Sequence, residues 1–255
     1  MSSEDGQIQT RQCNRAGNGP CSWPLSTVVM NRFYILCGPL SILCLLIFLP
    51  SSRSLPPISP AVTSEELANH YRQNHRGFEA GVVFILFSAV IWPVYSIGLN
   101  NQLARIPGVS STILSTQVSA GNCVGLSWAT CAILFASTIY RLDRDPALTQ
   151  ILSDTAWLYF AMMIPCLFVQ DIAISSAILS DYRAKPLLPR WLACANTLLP
   201  FGWFGVLGTH CVYHGPISWN GAITFWLTAA TFFVQLILNV ICFWKAAGTP
   251  DDVSK

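Results

Sequence analysis

The sequence predicts an all-α fold, a polytopic membrane helical bundle of about six transmembrane helices. Apolar residues make up 53% of the 255 positions and charged residues only 10%, whereas soluble domains carry roughly 25% charged residues. The apolar residues gather into stretches that each approach the ~20 residues needed to cross a bilayer. The predicted spans are residues 33–49, 80–99, 112–140, 155–179, 191–212 and 221–246.

These spans divide the chain into three parts. Residues 1–32 are polar and lack the apolar core of a signal peptide, so they are predicted to form a cytosolic tail. Residues 33–246 form the transmembrane helical bundle, and residues 247–255 form a short C-terminal tail. The third span is longer than a bilayer requires, which predicts that it tilts or projects beyond the membrane.

The distribution of lysine and arginine predicts the orientation. Nine of the 14 lie on the same side as the N-terminal tail and five on the other side, so the positive-inside bias places both termini in the cytosol. Without a targeting signal, the endoplasmic reticulum is the default membrane. The smaller set is Arg53, Arg72, Arg76, Arg141 and Arg144.

The first loop, residues 50–79, is the longest. Its proline-rich start is predicted to be extended, and a short helix is predicted to follow, with Ser64 as its N-cap and acidic residues in its first turn. That helix could lie at the lipid headgroups as an amphipathic element. Alternatively, it could act as a lid that brings Arg76 or Glu79 to a site at the membrane face.

The fourth span contains a carboxyl group at membrane depth. Asp171 follows Gln170 well inside the apolar stretch of residues 156–179. A carboxylate there costs a few kcal/mol on insertion scales, so the side chain is expected to face a protein interior or a wet cavity. It could donate or accept a proton, or bind an ion or a substrate. It could also be a structural residue that hydrogen-bonds a neighbouring helix.

Polar side chains recur at helical spacing in four of the spans, which places them on one face of each helix. Such residues often hold helices together, but four stripes together with one acid predict an internal polar cavity. The stripes are Ser88, Trp92, Tyr95 and Ser96; Ser115, Ser119 and Asn122; Gln170, Asp171 and Ser175; and Thr224, Thr228, Thr231, Gln235 and Asn239.

The same cavity is predicted to be lined with aromatic residues. Candidates include Trp92, Tyr95, Trp128, Trp157 and Phe160. Aromatic faces stabilise cations, and a carboxyl group kept from water holds its proton at neutral pH. A cavity with one acid, several hydroxyls and several aromatic rings would suit an oily substrate that reacts through a positive charge.

Several other chemistries find little support in the residue pattern. His210 and His214 are one helical turn apart, but with four histidines in all the chain cannot build the histidine boxes of a di-iron oxygenase. Asp143 and Asp145 do not form the acidic cluster that holds magnesium on a diphosphate. No phosphate-binding glycine loop and no run of basic residues occurs. We therefore expect no metal, no cofactor and no nucleic acid.

Four loop segments, with His70 and Tyr71 upstream, resemble a known family in order and spacing. The segments are residues 141–146 (RLDRDP), 154–157 (DTAW), 189–191 (PRW) and 215–221 (GPISWNG). The chain resembles a group of small multi-pass membrane proteins that includes uncharacterised bacterial members and fungal meroterpenoid terpene cyclases of the ascofuranone and macrophorin type. The resemblance covers about residues 60–235.

The resemblance implies cyclisation of the farnesyl chain of a prenylated aromatic or epoxycyclohexenone compound. Protonation of a terminal epoxide or alkene would start the reaction, and the resulting cation would close rings through the double bonds.

The residue roles come from physical argument alone. Asp171 is the expected proton donor, oriented by Gln170 or Ser175, and Glu79 is the second choice. The other residues expected to bind the substrate are Trp92, Tyr95, Asn122, Trp157 and Gln235.

Two further acids have structural explanations. Asp154 is expected to oppose the dipole at the N-terminus of the fourth helix, and Asp181 is expected to pair with Arg183 or Arg190.

The competing function is a small proton-coupled transporter or a membrane scaffold. A transporter would use Asp171 for proton coupling, although many transporters show an internal repeat and none is visible here.

Overall fold

The computed structural model describes residues 27–249, and this part of the chain contains helices and no strands. Within residues 27–249, six segments are long and apolar enough to cross a membrane, which confirms the predicted class: the chain is an integral multi-pass membrane protein. The predictions for residues 1–26 and 250–255 lie outside the described residues. The α-helices are α1 (Thr27–Ser51), α2 (Ser64–Gln73), α3 (His75–Leu103), α4 (Ser111–Ile139), α5 (Pro146–Met162), α6 (Ile164–Leu179), α7 (Arg190–Leu198) and α8 (Thr228–Ala247).

The fourth predicted span is two helices instead of one. α5 ends at Met162 and α6 begins at Ile164, because Pro165 in the first turn of α6 has no N–H to donate to the preceding turn. Asp154 therefore lies in the middle of α5, and the prediction that it opposes a helix N-terminus is wrong. Asp145 caps α5 instead, since its side chain accepts a hydrogen bond from the Ala147 N–H at 2.8 Å.

The last two spans are only partly α-helical. α7 continues as a 3₁₀ helix, Leu199–Cys211, and α8 is preceded by a π-helical turn, Ala222–Leu227. Runs of 3₁₀ helix longer than a few residues are uncommon, and π turns frequently mark functional sites. Both segments line the large cavity described below.

The N-cap of the loop helix α2 lies one residue earlier than predicted. Thr63, and not Ser64, is the N-cap, and Thr63 and Glu66 form a capping box in which each side chain accepts a hydrogen bond from the other's backbone N–H. α2 packs on α5 through Tyr71, whose hydroxyl shares a hydrogen bond with Ser153 at 2.9 Å. Burial raises the pKa of the Tyr71 hydroxyl. The helix is thus docked on the bundle.

The core of the bundle is α3, which packs between α1 and α4. Helix α6 packs on α4 and α7, and α8 reaches α1 and α7. Gly121 of α4 allows the α3–α4 contact to be close, since a Cβ added there would meet the side chain of Ser96. A Cβ at Gly121 would also meet the Gln170 side chain, so α3, α4 and α6 meet at this point, next to the position of Asp171 on α6.

Candidate functional site

Asp171 faces the interior of the bundle, as predicted. It lies on α6, two turns beyond the break at Met163, and its exposure is 6%. Gln235 on α8 lines the same small cavity as the carboxyl group. The acid therefore faces protein groups and not the lipid.

A small cavity of about 20 Å³ adjoins the carboxyl group. Roughly 10–15 Å³ is enough for one water molecule, so the space accepts one oxygen-sized group and no more. Four predicted site residues line it besides Asp171. These are Trp92, Tyr95, Gln170 and Gln235.

Three polar atoms on the lining residues have no hydrogen-bond partner among residues 27–249. They are the indole Nε1 of Trp92, the hydroxyl of Tyr95 and the Oε1 atom of Gln235. Buried polar groups are almost always paired in folded proteins. The small cavity therefore offers two N–H or O–H donors, one amide acceptor and a carboxyl group to whatever occupies it.

A network of amides holds Gln235 in place. The Nε2 atom of Gln235 donates to the Oδ1 atom of Asn196 at 3.1 Å. Asn196 and Asn239 exchange two hydrogen bonds, at 2.9 and 3.0 Å. Asn196 was not among the predicted site residues, although a single carboxamide inside the apolar span 191–212 is a signal of the same kind as Gln170.

Gln170 and Ser175 form hydrogen bonds to neighbouring helices and not to the Asp171 carboxyl group. Gln170 donates to the hydroxyl of Ser96 at 2.9 Å, and Ser175 donates to the backbone oxygen of Ala193 at 3.0 Å. Ser175 lines neither cavity. Neither of these hydrogen bonds involves Asp171, and Gln235 and Gln170 both line the small cavity beside it.

A larger cavity of about 220 Å³ occupies the half of the bundle nearer the loop of residues 52–63. Small-molecule pockets span roughly 300–1,000 Å³, so this cavity is somewhat smaller than that range. Its lining is almost entirely apolar and rich in aromatic rings. The aromatic residues are Trp128, Trp157, Phe160, Trp219, Phe225, Trp226, Phe232 and Phe233.

Two side chains line both cavities. Leu167 on α6 and Phe232 on α8 border the small polar cavity and the large apolar one. Leu167 precedes Asp171 by four residues, one helical turn. The two cavities therefore lie on either side of Leu167 and Phe232.

The loop of residues 52–63 covers the large cavity at the end of the bundle. Leu55 and Pro57 line the cavity from this loop. The indole N–H of Trp219 donates to the backbone oxygen of Ile58 at 2.7 Å, which ties the 52–63 loop to the segment that precedes α8. This hydrogen bond fixes the cover in place.

Two predicted site residues lie elsewhere. Glu79 is on the surface, with 55% of its side chain exposed, and pairs with His75 at 3.4 Å. Asn122 is exposed on α4, as are Ser115 and Ser119, so the polar stripe predicted for the third span faces outward. The inward face of α4 carries Gln117, the small residues beside it and Trp128.

The other predicted stripes do face inward. Ser88, Trp92, Tyr95 and Ser96 on α3 are buried, and so are Thr224, Thr228, Gln235 and Asn239 in the last span, while Thr231 is half-buried. Asp181 forms the predicted ion pair with Arg183 and also accepts a hydrogen bond from the Leu187 N–H at 2.9 Å.

No protein-family model, curated protein or solved structure matches this chain. The fold and the cavities define a polytopic helical membrane protein in which a buried acid adjoins an aromatic cavity.

Proposed function

We propose that the chain is a membrane-bound terpene cyclase that closes the farnesyl chain of a prenylated aromatic or epoxycyclohexenone compound. One observation supports this most strongly: the buried carboxyl group of Asp171 adjoins, across Leu167 and Phe232, a cavity walled by aromatic rings. Acid-initiated ring closure needs a proton donor and an apolar space that stabilises positive charge, and these two features are adjacent here.

The proposed reaction begins with proton transfer from the Asp171 carboxyl group. The proton goes to the terminal epoxide oxygen or to a terminal alkene carbon, and the C–O bond or the π bond opens to leave a carbocation. Leu167 and Phe232 would move aside to let the epoxide reach the small cavity. Its oxygen would there accept hydrogen bonds from Trp92 and Tyr95, whose donors have no other partner in residues 27–249.

The large cavity would hold the rest of the chain. Each double bond attacks the cation in turn, forming one C–C bond and moving the charge along the chain. Trp128, Trp157 and Phe232 present aromatic rings to this space, and aromatic faces stabilise a cation by about 0.5–2 kcal/mol each. Loss of a proton, or capture of the cation by an oxygen of the substrate, ends the reaction. Substrate and product therefore have the same mass.

We further propose that both termini face the cytosol and that the membrane is the endoplasmic reticulum. The excess of lysine and arginine on the side of the N-terminal tail supports the orientation. Under this orientation the covered end of the large cavity faces the lumen.

The test is product formation by microsomes from a host that expresses this chain alone. A farnesylated phenol bearing a terminal epoxide is supplied, and the expected product has unchanged mass and a shifted chromatographic retention. Asp171→Asn is expected to abolish the product at an unchanged protein level. Asp154→Asn is the matched control, since it makes the same chemical change at a residue that lines neither cavity. Full activity of Asp171→Asn would refute the assignment.

A further inference from the structure

A third cavity, which we call the basic pocket, lies at the end of α1 where the chain turns towards α2 and α3. It has a volume of about 450 Å³ and is lined by Ser51, Arg53 and residues 72–77. Three arginines, Arg53, Arg72 and Arg76, therefore share one pocket at this end of the bundle. This pocket is separate from the acid and from the large cavity, with which it shares no lining residue.

Arg53 occupies a backbone position that favours glycine. The last turn of α1 closes with the Ser54 N–H donating to the Leu49 oxygen at 2.8 Å and the Arg53 N–H donating to the Pro50 oxygen at 3.1 Å. In this arrangement the residue after the helix adopts a left-handed conformation and is usually glycine, and the φ angle of Arg53 is 51°. The fold thus places a charged side chain where glycine would be less strained.

Two of the three arginines have no hydrogen-bond or ion-pair partner in the described part of the chain. The side chains of Arg53 and Arg76 are exposed and make no hydrogen bond or ion pair with another residue between 27 and 249. Arg72 is fixed, because its guanidinium donates to the Leu142 backbone oxygen at 3.0 Å and to Asn69 at 3.2 Å. The pocket therefore combines one anchored cation with two that can close on an anion, and guanidinium groups bind phosphate through paired hydrogen bonds.

The face of α3 below Arg76 is apolar and exposed. Val83, Phe87 and Val90 follow Arg76 at 7, 11 and 14 residues, which puts all four on one stripe of the helix. The three apolar side chains are 49%, 54% and 70% exposed. In a membrane protein such a surface contacts acyl chains, so a phosphate at Arg76 would be continuous with a lipid tail along α3.

We propose that the basic pocket binds the phosphate group of an anionic phospholipid whose acyl chains lie along Val83, Phe87 and Val90. The net positive charge of the three arginines favours a phospholipid whose headgroup has no ammonium group to offset the phosphate charge. Inorganic phosphate has no apolar part that could contact the apolar stripe, so a lipid is the occupant that fits this surface.

The experiment is a lipid titration of the purified full chain in nonionic detergent, read by native mass spectrometry. Dioleoyl phosphatidic acid is expected to bind about tenfold more tightly than dioleoyl phosphatidylcholine, since charge-assisted hydrogen bonds are gained. Arg53→Gly and Arg76→Ala are each expected to weaken phosphatidic acid binding by about five- to tenfold. Arg141→Ala, at an exposed arginine on the same end outside the pocket, is the control and is expected to have no effect.

Arg53→Gly also guards against misfolding as an explanation. Glycine relieves the left-handed backbone, so the variant is expected to melt at the same temperature as the parent chain or higher. Equal binding of the two lipids would overturn the proposal, as would a loss in Arg141→Ala as large as in the pocket variants. Displacement of phosphatidic acid by millimolar inorganic phosphate would show that the ligand is free phosphate and would refute the lipid assignment.

Discussion

Removal of the Asn196 side chain tests how the site is held together. Asn196 is completely buried on α7 and takes part in three hydrogen bonds with Gln235 and Asn239. Hydrogen bonds between transmembrane helices average about 0.6 kcal/mol, so Asn196→Ala is expected to cost about 2 kcal/mol. For a chain of this size that corresponds to a fall of about 4–8 °C in melting temperature.

A double-mutant cycle measures the link between the two asparagines. Asn239→Ala removes two of the three hydrogen bonds, and both are also lost in Asn196→Ala. The double variant is therefore expected to be less destabilised than the sum of the single variants, with a coupling free energy of about 1 kcal/mol. The assay is thermal unfolding of the purified protein in detergent, followed by circular dichroism.

Ser115→Ala is the matched control, because Ser115 is a polar residue exposed on the outer face of α4. It is expected to change the melting temperature by less than about 1 °C. A fall of the same small size in Asn196→Ala, or strictly additive effects in the cycle, would show that the amides do not fasten α7 to α8. The account of how Gln235 is positioned beside Asp171 would then be refuted.

Two further predictions concern the loops at the opposite end of the bundle from the basic pocket. Arg183 holds the pKa of the Asp181 carboxyl at about 2 through its hydrogen bonds. Because the folded-state pKa is depressed, the pair stabilises the protein above pH 4 by about 1–2 kcal/mol. This stabilisation is lost as pH falls from about 4 to 2. Asp181→Asn should lower the neutral-pH melting temperature and flatten that pH dependence. Arg105→Ala should lower the melting temperature by a few degrees. Arg105 donates to the Ala246 and Thr249 backbone oxygens at the end of α8, at 2.7 and 2.6 Å. Arg105→Gln tests whether the positive charge is required.

The inward orientation of the acid could be predicted from the sequence because lipid imposes a large penalty. A carboxylate facing acyl chains is so unfavourable that Asp171 had to point inward, and Gln235 and Asn239 follow the same rule on α8. The free-energy difference between the two faces of the helix decides the outcome in each case.

The orientation of α4 could not be predicted in the same way. Serine and asparagine hydroxyls and amides cost far less at a lipid-facing position than a charge does, so a stripe of Ser115, Ser119 and Asn122 does not determine which face is buried. Packing decided it: Gly121 and Gly125 allow α3 to approach, and a Cβ at either would contact α3 at less than 3 Å. The small residues were a better guide than the polar ones.

The position predicted for Glu79 was wrong for a further reason. Glu79 was placed near the site by its position just before a span, but the chain is helical from His75, so Glu79 lies on the exposed side of an existing helix. Within a helix the period of about 3.6 residues fixes which face a side chain occupies, so a helix that already starts at His75 determines the direction of Glu79. Sequence alone gives such boundaries to within a few residues.

Irregular backbone around the large cavity explains how a helical bundle can contain it. Three interruptions line this space: the break at Met163, the 3₁₀ helix Leu199–Cys211 and the π turn Ala222–Leu227. Non-α backbone at membrane depth is tolerated where it lines a cavity or is buried in protein. Regular α-helices in the same places would turn different side chains inward, so the sequence features that break the helices, Pro165 and Pro200 among them, also shape the cavity beside Asp171.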